Sequence, residues 1–101
     1  MIVWGTGFVG LQVLRNLLTH PTFEVVGVIV NSPEKEGVDA GALAGIDPVG
    51  IVATRDADLV LAREAEAVCY FGPSALHMET NLAHITAALR AGKNVVETTI
   101  G

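Results

Sequence analysis

Residues 1–14 read MIVWGTGFVGLQVL, an apolar run that stops at Gly5, Gly7 and Gly10 and then resumes with helical spacing. A glycine inside a regular element costs roughly 0.5–1 kcal/mol against alanine, so three close together answer a need that other residues cannot meet. Ile2–Trp4 predicts a short buried strand. Phe8–Leu18 predicts a helix whose Val9, Val13, Leu14, Leu17 and Leu18 fall at spacings of three and four. Between them GTGFVG matches GxGxxG in the strand-to-helix context that gives the motif its meaning. Gly5 permits the tight turn, Gly7 lets a pyrophosphate approach the backbone, and Gly10 lets the helix pack on the strand. Thr6, Phe8 and Val9 lie within the same turn, where the free N–H groups and partial positive charge of a helix N-terminus face the phosphates. A glycine-rich turn that serves packing alone is the plainer alternative.

Outward from this turn the chain alternates. FEVVGVIV (23–30) follows a break at His20–Pro21 and reads as a continuous apolar strand, the kind buried on both faces of a parallel sheet. Residues 31–50 are rich in glycine, proline and charge, with a helical turn in VDAGALAG, and long connections of this kind are often functional. GIVAT (50–54) predicts a third strand, and RDADLVLARE a short helix capped by an aspartate. AEAVCYFG predicts a fourth strand. Leu76–Ala91 predicts a helix closed by Gly92, and KNVVETT a fifth strand. The implied fold is α/β, a doubly wound parallel sheet of Rossmann type in the order 3-2-1-4-5. Ligands in such sheets bind beyond the carboxyl ends of the strands, at the switch between strands 1 and 4.

The 101 residues make one domain, 1–101, and half of them are hydrophobic, enough for a core. Apolar runs stay far below the roughly 18 residues of a membrane span, and no basic, unbroken leader opens the chain. A cytoplasmic protein is expected. The net charge of −5, with acids and bases intermixed, argues against nucleic acid and anionic membranes as partners. The lone Cys69 excludes an intrachain disulfide and suits a small buried hydrophobe. No cluster has metal-ligand spacing.

The end of the second strand is where an acid would bond the adenosine ribose of NAD. Here the sequence is VNSPEK, in which Asn31 and Ser32 are neutral and Lys35 is positive, so a 2′-phosphate would meet donors. That favours NADP, with NAD possible and Glu34 close by; a solvated turn is the alternative. In YFGPS, Phe71 is placed to pack on a nicotinamide ring and Ser74 to cap the next helix or bond the cofactor, while Tyr70 reads as plain core. His77 and His84 lie on or beside that helix and read as surface histidines before catalytic ones. Glu97 is the acid at a strand end beside the presumed nicotinamide site, suited to hold an amine or act as a base.

GTGFVG, VDAGALAG, the YFGPS turn and LAHITAALRAGKNVVETTIG together resemble the N-terminal domain of the dihydrodipicolinate reductase family. Within it they resemble the branch of 2,4-diaminopentanoate dehydrogenases and NAD(P)H-dependent amine dehydrogenases. The resemblance covers nearly the whole chain. It implies hydride transfer between a nicotinamide and a C=N or C–N bond of a small amine or imine. By the same resemblance Phe71, Gly72, Pro73, Thr98 and Thr99 lie beside the nicotinamide. Two departures, Ala42 where the reductases carry an acid and Glu97 where they carry glycine, favour the amine-dehydrogenase branch. Family members continue into a substrate domain with acid–base residues, so this chain reads as a truncated piece without that domain, and a homo-oligomer is expected of the full-length protein. A non-catalytic nucleotide- or CoA-binding module is the alternative from another class.

Overall fold

The computed structural model describes residues 1–20, 22–72 and 78–97, with Met78 and Glu97 described by backbone alone. Strand β1 (Ile2–Trp4) leads through the glycine turn into helix α1 (Phe8–Thr19) and back to strand β2 (Gly27–Ile29). After a 3-10 turn at Pro33–Lys35 come two short helices, α2 (Ala40–Ala44) and α3 (Ala57–Leu61). Strand β3 (Ala67–Tyr70), helix α4 (Met78–Arg90) and strand β4 (Asn94–Glu97) follow. All strand pairings are parallel, in the order β2-β1-β3-β4. The register sets Ile2 opposite Gly27 on one side and Val68 on the other, and Tyr70 opposite Glu97.

Alternation along β1 divides the core. Val3 faces a cluster with Leu14, Leu17, Val28, Val30, Ala40, Ala53 and Cys69, whereas Ile2 and Trp4 face another with Ile29, Val60, Leu61, Val68, Tyr70 and Ala88. Helices α1 and α2 supply residues to the first face, and α3 and α4 to the second. Both faces of the sheet are therefore covered, which is why its strands read as unbroken apolar runs. Among the described residues no helix is long and apolar enough to cross a membrane, and no group of three or more His, Cys, Asp or Glu is placed to hold a metal ion.

The doubly wound parallel sheet stands, with two local differences from expectation. The run from Phe23 becomes a strand only at Gly27, which pairs with Ile2 of β1; upstream, the Val26 N–H bonds the Met1 carbonyl at 2.9 Å and the Met1 amino group donates to the Glu24 carbonyl at 2.6 Å, without a ladder. GIVAT is not a strand but a pair of bridges, Thr54 to Ile29 in parallel and Val52 to Asp39 antiparallel. Its backbone is spent on the preceding loop, through Ala40 N–H to the Ile51 carbonyl (2.7 Å) and Ala53 N–H to the Val38 carbonyl (2.9 Å). Only Thr54 reaches β2, bonding Val28 and Val30 at 3.1 and 3.0 Å, on the edge where the order 3-2-1-4-5 puts strand 3. Asp56 caps α3 by accepting from Leu59 N–H at 3.1 Å, as the sequence predicts for an aspartate of this segment. Cys69 is buried, and desolvation pushes its thiol pKa up, away from reactivity. At the far edge of the sheet, Val96 on β4 and Leu82 and Leu89 on α4 are about half exposed.

Candidate functional site: a cleft at the strand ends

Three chain segments leave the sheet side by side at its carboxyl end. Gly5 follows β1, Asn31 follows β2 and Phe71 follows β3. The Gly5 N–H bonds the Ile29 carbonyl (2.9 Å) and the Phe71 N–H bonds the Trp4 carbonyl (2.7 Å), so the ladder fixes where each departs. The space between them is a cleft of about 220 Å³ lined by Gly5, Thr6, Gly7, Asn31, Ser32, Lys35, Phe71 and Gly72. It lies at the switch between β1 and β3, the position that topology favours for a ligand.

The glycines differ in what surrounds them. Gly5 has φ +105°, and a Cβ there would strike the Phe71 carbonyl. A Cβ on Gly10 would strike the Gly5 carbonyl, so its absence lets α1 start tight against the turn. A Cβ on Gly7 would meet nothing within 4 Å; the protein itself makes no demand for glycine there. Helix α1 begins with no side-chain cap and no acidic residue in its first turn, whereas α2 and α3 are capped by Asp39 and Asp56. Its first N–H groups are left for an anion. The open backbone at Gly7 and the uncapped helix start fit the pyrophosphate of a dinucleotide.

Lys35 supplies the positive charge. Its Nζ donates to the Thr6 carbonyl at 2.9 Å and to the Thr6 hydroxyl at 3.1 Å, which holds the ammonium over the glycine turn from 29 residues away. Thr6 is itself buried. Glu34, one residue earlier, is exposed and does not line the cleft.

Of the residues singled out in the sequence, eight therefore meet in one cleft. Phe8 and Val9 do not line it and are 80% and 52% exposed; Phe8 instead lines an apolar groove with Leu11 and Leu43, and Gly10 is buried beneath the turn. Pro73, Ser74, His77, Thr98 and Thr99 lie outside the described residues, and Glu97 is placed by its backbone opposite Tyr70. Sequence reasoning missed Asn81 and misjudged His84. Asn81 is fully buried, and His84 packs between Trp4 and Tyr70 rather than lying on the surface. The signal was there: Asn81 shares a spacing of four and seven with Ile85 and Ala88, the apolar stripe of its helix.

The model of the dihydrodipicolinate reductase N-terminus matches residues 1–101, the whole chain. An amine dehydrogenase of Streptomyces virginiae is 42% identical over 96 residues, covering 94% of this chain and 27% of that protein. The structure of amine dehydrogenase from Mycobacterium smegmatis superposes with a TM-score of 0.79 at 25% identity, over 97% of this chain and 29% of that one. The chain thus spans less than a third of the length of these relatives. On the match over its whole length, the chain belongs to the dihydrodipicolinate reductase N-terminal domain family.

Proposed function

We propose that this chain is the cofactor-binding part of an NAD(P)-dependent oxidoreductase that moves hydride between a nicotinamide and the C=N or C–N bond of a small imine or amine. Two similar proteins that bear the name amine dehydrogenase support that substrate class. The uncapped turn at Gly5–Gly10 binds the pyrophosphate. Phe71 and Gly72 border the nicotinamide, with Pro73, Thr98 and Thr99 beside them. The bound nicotinamide supplies or accepts the hydride; the residues here hold and orient it. Glu97, opposite Tyr70 in the ladder, is the acid we assign to the substrate amine.

NADP is the favoured dinucleotide, and the observation that carries this is the Lys35 ammonium held at Thr6 on the cleft wall, with Asn31 and Ser32 beside it and no acid in the lining among the described residues. Charge-assisted hydrogen bonds to a 2′-phosphate contribute roughly 1.5–3 kcal/mol each before solvent screening. A carboxylate in the same place would repel that phosphate by roughly 4 kcal/mol at 4 Å and an effective dielectric of 20. Calorimetric titration of both dinucleotides at fixed salt tests the reading. Lys35→Ala should weaken NADP and spare NAD, and Ser32→Asp should turn the preference toward NAD. Equal loss of both cofactors on removing Lys35, or a parent that prefers NAD tenfold, would overturn it.

A further inference from the structure

Beneath Gly72, polar side chains from two elements, Tyr70 and Asn81 buried and His84 half-buried, meet in an otherwise apolar sheet face. Tyr70, the last residue of β3, is 1% exposed. Its hydroxyl lies 2.9 Å from Asn81 Oδ1 and 2.7 Å from His84 Nδ1, both on α4. The His84 ring stacks on Trp4 with centroids 4.5 Å apart and planes 28° apart, and Tyr70 meets both rings edge-on. The hydroxyl has one proton to give. Donated to Asn81 Oδ1, it leaves a lone pair that accepts from His84 Nδ1–H, which assigns the tautomer of the imidazole.

Burying an amide and a phenol beside a half-buried imidazole is costly unless each is bonded, and apolar side chains would fill the same volume without that demand. The use of the cluster lies next to it. Gly72, on the cleft wall, rests on the Tyr70–Asn81 bond: a Cβ there would strike Asn81 Oδ1 and lie 2.7 Å from the Tyr70 hydroxyl. We infer that Tyr70, Asn81 and His84 are positioning residues that fix the Gly72 backbone against the nicotinamide end of the cofactor. The inference rests on the proposed function, in which the turn after β3 borders that ring.

The test compares NADP with 2′-phospho-ADP-ribose, which keeps the pyrophosphate, the 2′-phosphate and the adenosine but lacks nicotinamide. Tyr70→Phe keeps the ring and removes the hydroxyl. His84→Leu removes the imidazole donor, and His84→Asn returns an amide donor near the Nδ1 position. Tyr70→Phe and His84→Leu should each weaken NADP about tenfold, the scale of one lost buried hydrogen bond, and leave the fragment's affinity unchanged. His84→Asn should recover most of the loss. In the ligand-free chain the Gly72 amide resonance should shift in Tyr70→Phe while that of Gly7 does not. Equal weakening of both ligands would mark the cluster as merely structural and overturn the inference, as would unchanged NADP affinity. A parent that binds both ligands equally overturns it while leaving the glycine-turn site intact, and a parent that binds neither overturns the proposed function as well.

Discussion

Gly7 and Gly10 are three residues apart and are glycine for opposite reasons. Space around Gly7 is open, and in the function we propose its missing side chain serves a bound pyrophosphate, whereas Gly10 faces the Gly5 carbonyl and serves the fold. Gly7→Val should leave the thermal melt close to the parent's and abolish dinucleotide binding by calorimetry. Gly10→Ala should cost about 1–3 kcal/mol of stability through overpacking, a fall of several degrees in Tm. A Gly10→Ala variant that melts with the parent would contradict the contact. The turn that these glycines build is legible in the sequence because their spacing, between a strand and a helix, encodes one local geometry. The reach of Lys35 to Thr6 and the meeting of Tyr70 with Asn81 and His84 are not, because spacing along a chain does not record which side chains cross between elements.

The connection from β2 to α3 shows the same limit in an element. VDAGALAG reads as a helical turn from its residues alone, and α2 forms there, ended by Gly45 in the left-handed conformation. What its sequence conceals is that Asp39 organises the whole segment: Oδ2 accepts from Gly41 N–H (2.7 Å) and Val49 N–H (3.0 Å), and Oδ1 from Gly50 N–H (2.8 Å). GIVAT has the apolar, β-branched look of a strand, yet its residues are drawn onto this loop and leave β2 only the Thr54 bridge. The bonds from Val49 N–H, Gly50 N–H and Gly41 N–H hold the Asp39 carboxyl below its ordinary pKa. A group lowered in this way contributes stability above the ordinary carboxylate value of about 4, and the contribution is lost as the pH falls through the lowered folded value. Asp39→Ala should therefore melt below the parent at pH 7, and the gap should close as the pH is taken from about 4 toward 2. A gap that is constant with pH would show that the carboxylate's charge is not what holds the loop.

On the scale of the molecule, the chain covers 27% of its Streptomyces relative and 29% of the Mycobacterium one. The cleft proposed for the cofactor lies within that span, but binding a dinucleotide would not by itself bring an imine to the ring. The 101 residues alone should bind NADP and show no oxidation of NADPH with small cyclic imines or ketone–ammonia mixtures; measurable turnover would place the substrate site within this chain. The half-exposed Val96 carries a further consequence. Among the described residues β4 is an outermost strand, paired on one side by β3, and an unpaired strand is a template for another. Handled by itself, the chain should therefore self-associate through this margin as its concentration rises, and Val96→Lys, which puts a charge where a second sheet would have to dock, should extend the range over which light scattering reports single molecules.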